Sequence, residues 1–563
     1  MTQENTAYFG IDLGTTYSAI AYIDDTGRPT VIRDQIGESL TMPSVVFFES
    51  AENVVVGAGA REMAKILPEQ VVERVKRQMG REAQWEFFQR THTPESISAL
   101  ILRNMADYAR EFTQREVKQV VITVPAYFGM LERNATRTAG EIAGLDVIGI
   151  VPEPVAAALQ YEVMDGSPEK TILVYDLGGG TFDTTVIRIT ADEITVLCTD
   201  GDQELGGTDW DDRLAQHLLQ EVVSATGATE NPEEDLAFMA ELYATAEKTK
   251  RQLSQAESRP VVLRFAGKPV NLVLTRTVFE DLTRDLVDRT IEITHRTLAA
   301  LGEKIGSAAP KSAIDEVLLV GGSTKMPIVA ARLTQEFGWT PQMHDPDLAV
   351  AKGAARFALS QAVWHEEAGP TASGEPRGAL TPAQREKRIE ELSEQTGIPG
   401  AAIALVSEKK ITNVLPKAFG VKLYDTRKNG PEADPDSFYI HHLVHANDTL
   451  PSGPHVLDAE TMVANQQSVM IEIYEQAGST ESPDVSANKS VDRGNGTIEP
   501  LPPLPAGSPI KITMEINSEG RLALHAVEPV SRRELTIEVQ VNVLSDAEIA
   551  PLKSMVSSIA VRS

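Results

Sequence analysis

Apolar residues change their spacing several times along this 563-residue chain, and each change marks an element. Thr171 to Ile187, TILVYDLGGGTFDTTVI, is an apolar run reaching Asp176, a turn over Gly178, Gly179 and Gly180, and a second β-rich run that holds Asp183. The pattern predicts two strands joined by nearly bare backbone. Tyr8 to Tyr22, YFGIDLGTTYSAIAY, repeats it with Asp12 and a turn of Gly14, Thr15 and Thr16. Lys118 to Phe128 carries a near-continuous β-branched run ending in Pro125, as a buried strand that must stop there would. Arg133 to Gly144 reads as a helix, followed by a strand through Val151 and a helix begun by Glu153 between two prolines. Asp200 to Leu214 is acidic and opens a long helical region, within which Glu247, Lys250, Arg251 and Ser254 share one face by their spacing. Glu316 to Val329 is a strand, a Gly321-Gly322 turn and a helix with Ser323 near its start.

Beyond Phe357 the pattern changes. Residues 363–380 are rich in glycine, proline and small polar residues and read as a linker. Thr381, with Pro382 and with Gln384 three residues on, begins a capping-box helix that Gly397 and Pro399 end; its heavy charge predicts a solvated spacer in preference to a docking surface. From Asn413 the apolar period is two, in AFGVKLYD, SVMIEIYEQAG, PIKITMEINSEGRLALHAVE and ELTIEVQVNVL, which predicts an all-β module with a hairpin at Asn517 to Gly520. The polar stretch from Gly478 to Gly496 is expected to be disordered, and Ser545 to Ser563 to hold one short helix.

The length calls for more than one domain. With 52 basic against 81 acidic side chains and a formal charge of −29, nucleic acid and anionic membrane surfaces are excluded as main partners. One cysteine, Cys198, rules out an internal disulfide and a cysteine zinc site, as in a reducing compartment. No apolar run reaches the roughly eighteen residues of a membrane span, and the first residues lack a signal peptide's pattern, so a cytoplasmic protein is expected.

Glycine lets consecutive amides face an anion, so each aspartate-glycine turn can cradle phosphate, and Asp176 and Asp183 can hold hydrated magnesium. Taken alone, one such turn is equally an ordinary hairpin, and the Glu247 face is more simply a solvated stripe. Two turns about 160 residues apart point to a duplicated fold gripping a nucleotide between its halves. Neither turn is a P-loop.

Together the stretches GIDLGTTYS, TMPSVVFF, VITVPAYF, PEPVAAAL, VYDLGGGTFD, GGTDWDDRL, EKTKRQLS, VGGSTKMP and DPDLAVAKGAA resemble those of DnaK-type chaperones, the seventy-kilodalton heat-shock family, across residues 8 to 357. The resemblance implies an α/β actin- and hexokinase-like two-lobed nucleotide-binding domain followed by an all-β sandwich that grips extended peptide. It implies ATP/ADP and Mg2+ as cofactors, with Asp12, Asp176 and Asp183 positioning the metal. Gly14, Thr15, Thr16, Tyr17 and Gly178 to Thr181 (including Gly179 and Gly180), with Gly206 and Gly207, would line the phosphates. Lys76 and Glu153 would be catalytic with Asp176 and Thr181, and Thr181 would be the site of any autophosphorylation. Glu247, Lys250, Arg251, Ser254, Gly321, Gly322, Ser323 and Asp347 would surround the adenosine. Val421, Tyr424, Val469 and Ile471 would fall in the peptide groove, and are equally readable as core. J-domain and nucleotide-exchange co-chaperones are the implied partners beside unfolded peptide.

The chain departs from that pattern in places. Pro152 replaces the asparagine usual before the glutamate, an arch position usually bulky is Ala459, and no helical lid is expected after the sandwich. The short leucine-rich interdomain linker is replaced by about fifty residues, in which Ala401 to Val414 is the nearest substitute, so nucleotide and peptide are expected to be weakly coupled. The expected division is 1–362 nucleotide-binding, 363–412 linker with a charged helix, 413–544 sandwich and 545–563 tail. A nucleotide-dependent regulatory protein for one specific partner is the alternative reading.

Overall fold

The computed structural model describes residues 7–34, 39–165, 169–227, 230–364, 381–425, 437–491, 495–518, 520–539 and 544–563. Phe9–Asp12 pairs antiparallel with Tyr17–Ile23 and parallel with Gln119–Val124, which pairs parallel with Asp146–Pro152, while Pro29–Val31 flanks Tyr17–Ile23. Lys170–Leu177 pairs antiparallel with Phe182–Ile189 and parallel with Glu316–Val320, which pairs parallel with Gln342–Met343, while Glu193–Asp202 flanks the hairpin. These five strands of each sheet have the same wiring, with an aspartate-glycine hairpin at the centre of each. They form lobes I and II, and the duplication expected from the two hairpins is a duplication of topology.

Two alanine-rich helices, Glu153–Asp165 and Ala349–Trp364, lie at the centre of the molecule. A Cβ on Gly353 would lie 1.7 Å from the Ala156 carbonyl oxygen, and one on Gly10 would lie 2.1 Å from the Ala355 nitrogen. Only small residues allow this approach of backbones, which draws helix and sheet together beneath the cleft.

Thr381 and Gln384 cap each other's ends as expected, and Gly397 ends the Pro382–Thr396 helix in the left-handed conformation. The expected solvated spacer is not what forms. Leu392, Ile398 and Ile403 are buried in one core with the two alanine-rich helices, and Arg388 Nε donates to the Ala362 carbonyl at 3.2 Å. Ile389 and Leu392 supply a narrow apolar stripe that draws the otherwise charged helix onto this core. After a second helix, Gly400–Ser407, the strand Lys410–Thr412 pairs parallel with Glu193–Thr195 at the edge of lobe II. The 365–380 part of the expected linker lies outside the described residues.

The β module has one sheet ordered Phe438–Val444, Phe419–Tyr424, Ile473–Gln476, Asn488–Ser490 and another ordered Ser452–Glu460, Pro509–Ile516, Leu522–Glu528, Arg533–Val539. Ile510, Ile512, Met514 and Ile516 alternate inward, as the period of two predicts. The stretch after Gly478, expected to be disordered, contains the turn Val485–Ala487 and the strand Asn488–Ser490 paired to Tyr474–Gln476. Period two is blurred there by polar side chains that hydrogen-bond locally, such as Asn488 Nδ2 to the carbonyls of Ser482 and Asp484.

The module touches both lobes. Tyr127 Oη donates to the Gly478 carbonyl at 3.1 Å, and Met130 N to Glu475 Oε1 at 3.1 Å, on lobe I. On lobe II, Asn447 Oδ1 accepts from Thr199 N at 2.8 Å and its carbonyl accepts from Lys304 Nζ at 2.8 Å. These contacts, with the Lys410–Thr412 strand, supply the physical connection that the missing leucine-rich linker left in doubt. The Asp546–Ser558 helix forms as expected, followed by a strand, Ala560–Arg562, that no pattern signalled.

Candidate nucleotide site

A cavity of about 590 Å³ opens between the lobes, with the two glycine turns at its base. Each hairpin's register brings its aspartate to the strand end: Asp12 opposite Ala19, and Asp176 opposite Asp183. The turns interlock. A Cβ on Gly179 would lie 1.7 Å from Thr16 Oγ1, one on Gly180 2.4 Å from Thr15 Oγ1, and one on Gly206 2.5 Å from Gly180 N. The glycines are therefore needed for close approach as well as for exposing amides.

Of the residues named from the sequence, Asp12, Gly14, Thr15, Thr16, Tyr17, Lys76, Glu153, Asp176, Gly178, Gly179, Thr181, Gly207, Glu247, Lys250, Arg251, Ser254, Gly321, Gly322, Ser323 and Asp347 line the cavity. Gly180 and Gly206 sit behind its wall against each other. Asp183 also stands back, its carboxylate accepting from Tyr127 N at 3.0 Å and Ala126 N at 3.1 Å.

Lys76 occupies a short 3₁₀ turn, Val75–Gln78, and its Nζ lies 2.6 Å from Glu153 Oε1. Both side chains are nearly closed to solvent. Pro152 is the last residue of its strand, paired with Val124, and Glu153 starts the next helix. A proline at a strand end forfeits little of the ladder, so the glutamate is retained in position.

Carboxyl groups crowd this floor. Burial, then the charge of Glu153, pushes Asp12 up to about 7 and Asp183 up to about 8. The same two causes, followed by Asp183 and Asp12, hold Asp176 well above the usual carboxylate range. Asp176 Oδ2 is buried without a hydrogen-bond partner. An orphaned carboxylate oxygen in a cluster short of positive charge fits a cation. Among the described residues no three acidic, histidine or cysteine side chains form a cage by themselves, whereas magnesium needs only one or two carboxylates beside phosphate and water.

The opposite wall is built from the Leu236–Leu253 helix. Lys250 Nζ donates to the Gly207 carbonyl at 2.6 Å and pairs with Asp211 at 2.8 Å. Glu247 Oε1 accepts from Tyr17 Oη at 3.0 Å, Arg251 donates to that same hydroxyl at 3.0 Å, and Arg61 of lobe I pairs with Glu247. Ser323 Oγ donates to the Gly178 carbonyl at 2.8 Å, and Lys325 pairs with Asp347. The helix face read alone as a solvated stripe is thus a wall of the cleft.

Sequence reasoning missed Arg61, Arg77, Asp209, Asp211 and Lys325. Asp209 and Asp211 lie in GGTDWDDRL and Lys325 in VGGSTKMP, so the motifs held them unnamed. Arg77 donates from Nε to the Gly180 carbonyl at 3.1 Å and pairs with Asp209 at 2.5 Å, and Asp209 in turn accepts from Gly206 N at 2.7 Å. Arg61 had no local signal.

In the sandwich, Val421 and Ile471 are buried in the core, while Val469 is only partly covered and Tyr424 stacks edge-on to Phe438. Ala459 packs partly covered against the same core.

Two lobes of duplicated topology, with glycine turns and a carboxylate floor between them, define an actin- and hexokinase-like nucleotide-binding protein carrying a β-sandwich. A sequence model of the family described as Hsp70 protein matches residues 8–92 and 83–363. The chaperone protein DnaK of Halobacterium salinarum is 33% identical over 550 residues, covering 96% of this chain and 76% of that protein. The chaperone protein DnaK of Thermotoga petrophila is 32% identical over 548 residues, covering 96% and 81%. The chain belongs to the Hsp70 family.

Proposed function

We propose that the chain is a molecular chaperone that hydrolyses Mg-ATP slowly in the interlobe cleft and holds extended apolar peptide on its sandwich. The observation that carries this is the Lys76–Glu153 pair, 2.6 Å apart and facing two interlocked glycine turns over an orphaned carboxylate. The similarity to DnaK proteins over nearly the whole chain supports it.

Phosphoryl transfer asks mainly for positioning and charge neutralisation. The amides of Gly178 and Gly179 and the hydroxyls of Thr15, Thr16 and Thr181 hold the phosphates, and Lys76 places its charge beside the terminal one. Glu153, fixed at a helix start, orients the attacking water. Magnesium would be held by Asp12 and Asp176, directly or through water with Asp183 behind, and would neutralise phosphate charge. Tyr17, Glu247, Lys250, Arg251, Ser254, Ser323 and Asp347 frame the nucleoside.

On the sandwich, Val469 and Tyr424 border the groove and Val421 and Ile471 form its floor. Unfolded peptide, J-domain proteins and nucleotide-exchange factors are the partners of this reading. Its units are residues 1–362, 363–412, 413–544 and 545–563. Its compartment is the cytoplasm, in keeping with a single, buried thiol. Steady-state ATPase with and without an unfolded peptide tests it: slow turnover that the peptide accelerates is expected. No ATP binding by calorimetry would end it, and turnover indifferent to peptide would leave a partner-specific regulator.

A further inference from the structure

The last residues of the chain return to lobe I and complete it. Ser545 opens the Asp546–Ser558 helix with a capping box, and the helix lies on Pro94–Thr113 and Met130–Ile142. Val556 and Ile559 are fully buried in the lobe I core, and Leu544 nearly so, with Ile549, Leu552 and Met555 packed at its margin. Arg103 donates to the carbonyls of Val556 at 2.5 Å and Ile559 at 2.9 Å, satisfying acceptors that a helix end leaves open. Ala560–Arg562 then pairs parallel with Asn53–Val55, Ala560 N donates to the Glu52 carbonyl at 2.7 Å, and Ser563 Oγ lies 3.0 Å from Asn104 Oδ1. The sheet so completed runs on through Val46–Phe48 to Val71–Val72, three residues before Val75 opens the turn that carries Lys76.

This return ties the sandwich down at both ends of its own chain. Between the lobe II strand ending at Thr412 and the first sandwich strand at Phe419 lie residues 413–418. Between Val539 and the helix beginning at Asp546 lie residues 540–545. Six residues span at most about 25 Å, whatever their conformation. While both anchors hold, the sandwich is confined near the faces on which Glu475, Gly478 and Asn447 sit. The anchor made by residues 544–563 is a slight one. A thirteen-residue helix is marginal in isolation, Pro551 removes one of its hydrogen bonds, and the strand is three residues long, so residues 544–563 stay down by burial of a few apolar side chains.

We propose that the trough between Pro94–Thr113 and Met130–Ile142, with the free edge of Asn53–Val56, is a binding site for an amphipathic helix followed by an extended strand. In this chain it is filled by residues 544–563, and its filling keeps the sandwich on lobe I. Release of this clasp is the step that frees the sandwich to move, and the emptied edge presents unpaired backbone that accepts a strand.

A fluorescent peptide of residues 544–563 is titrated against the wild-type chain and against full-length Val556→Asp, Ile559→Asp, which expels its own clasp. Saturable binding to the variant, at least about tenfold tighter than to wild type, is expected. A variant that keeps its near-ultraviolet circular dichroism and does not bind the peptide overturns the proposal. Should that variant not fold, Asn53→Cys with Ala560→Cys locks the strand pair by oxidation in an otherwise intact chain. Hydrogen exchange at the Met130 amide, which Glu475 covers, is expected to slow about tenfold on oxidation and to recover on reduction. Equal exchange in both redox states overturns the clasp. Neither measurement uses nucleotide, so each outcome is independent of whether the cleft hydrolyses ATP.

Discussion

Lys76 Nζ of lobe I lies 2.6 Å from Glu153 Oε1, the first residue of a helix at the cleft floor, and both side chains are shielded from water. Neither group is placed by its own surroundings alone. The lysine arrives on a 3₁₀ turn, the glutamate on a helix start behind a proline, and the cleft brings them together.

Replacing that lysine separates positioning from binding. Lys76→Ala is expected to retain ATP within a fewfold in calorimetric affinity and to lose turnover by about 10²–10³-fold, the usual effect of deleting one preorganised charge. It leaves Glu153 buried without its partner, so a loss of stability of about 3 kcal/mol is expected in denaturant unfolding. Wild-type turnover in Lys76→Ala would remove the lysine from the chemistry.

Arg77 is the next residue to test, because it ties the Lys76 turn to Gly180 and to Asp209 across the cleft. Arg77→Ala is expected to lower kcat with a smaller change in KM, since the ties fix the turn and do not line the cavity. In a double-mutant cycle with Asp209→Ala, the coupling in kcat/KM should be about 1 kcal/mol, as both side chains are mostly covered. Strict additivity would show that the pair is ornamental to the site.

Docking of the sandwich on lobe I should depend on pH. The carboxyls of Glu132 and Glu475 meet over Gly129, with Lys417, Lys489 and Arg133 around them. Burial, opposed by Lys417 and reinforced by Glu132, raises the Glu475 carboxyl above its usual range. Docking thus favours the protonated acid: its contribution is complete below the undocked value and fades as pH rises through the docked one. Hydrogen exchange at Met130, corrected for intrinsic rates, is expected to speed up as pH rises beyond the usual carboxylate range in wild type and to lose this dependence in Glu475→Gln. The same slope in both proteins would assign the effect elsewhere.

Asn447 joins the sandwich to lobe II through two hydrogen bonds, to Thr199 N and Lys304 Nζ. With contacts on both lobes, a change of cleft closure reaches the sandwich, so ATP and ADP are expected to give different dissociation rates for a labelled apolar peptide. Asn447→Ala should shrink that difference severalfold while leaving the ADP rate near wild type. Identical rates in ATP and ADP for the wild-type chain would restore the uncoupled picture drawn from the missing linker.

What the sequence determined by itself was local. Aspartate followed by glycines specified both hairpin turns, period-two runs specified the sandwich strands, and the Thr381 capping box marked its helix, because each rests on backbone conformations and spacings set within a few residues. The motif order also named most of the cleft lining, Lys76 and Glu153 included. Tertiary structure decided what depends on distant partners. Arg61 reaches Glu247 and Arg77 reaches Asp209 from the opposite side of the cleft, and an arginine has no local signature of its eventual acceptor. The charged helix after Thr381 turned inward because a core already lined with alanines had room for Leu392, with Ile389 packed at its margin. Ala560–Arg562 is too short to show a period, and it becomes a strand because Asn53–Val56 offers it an unpaired edge.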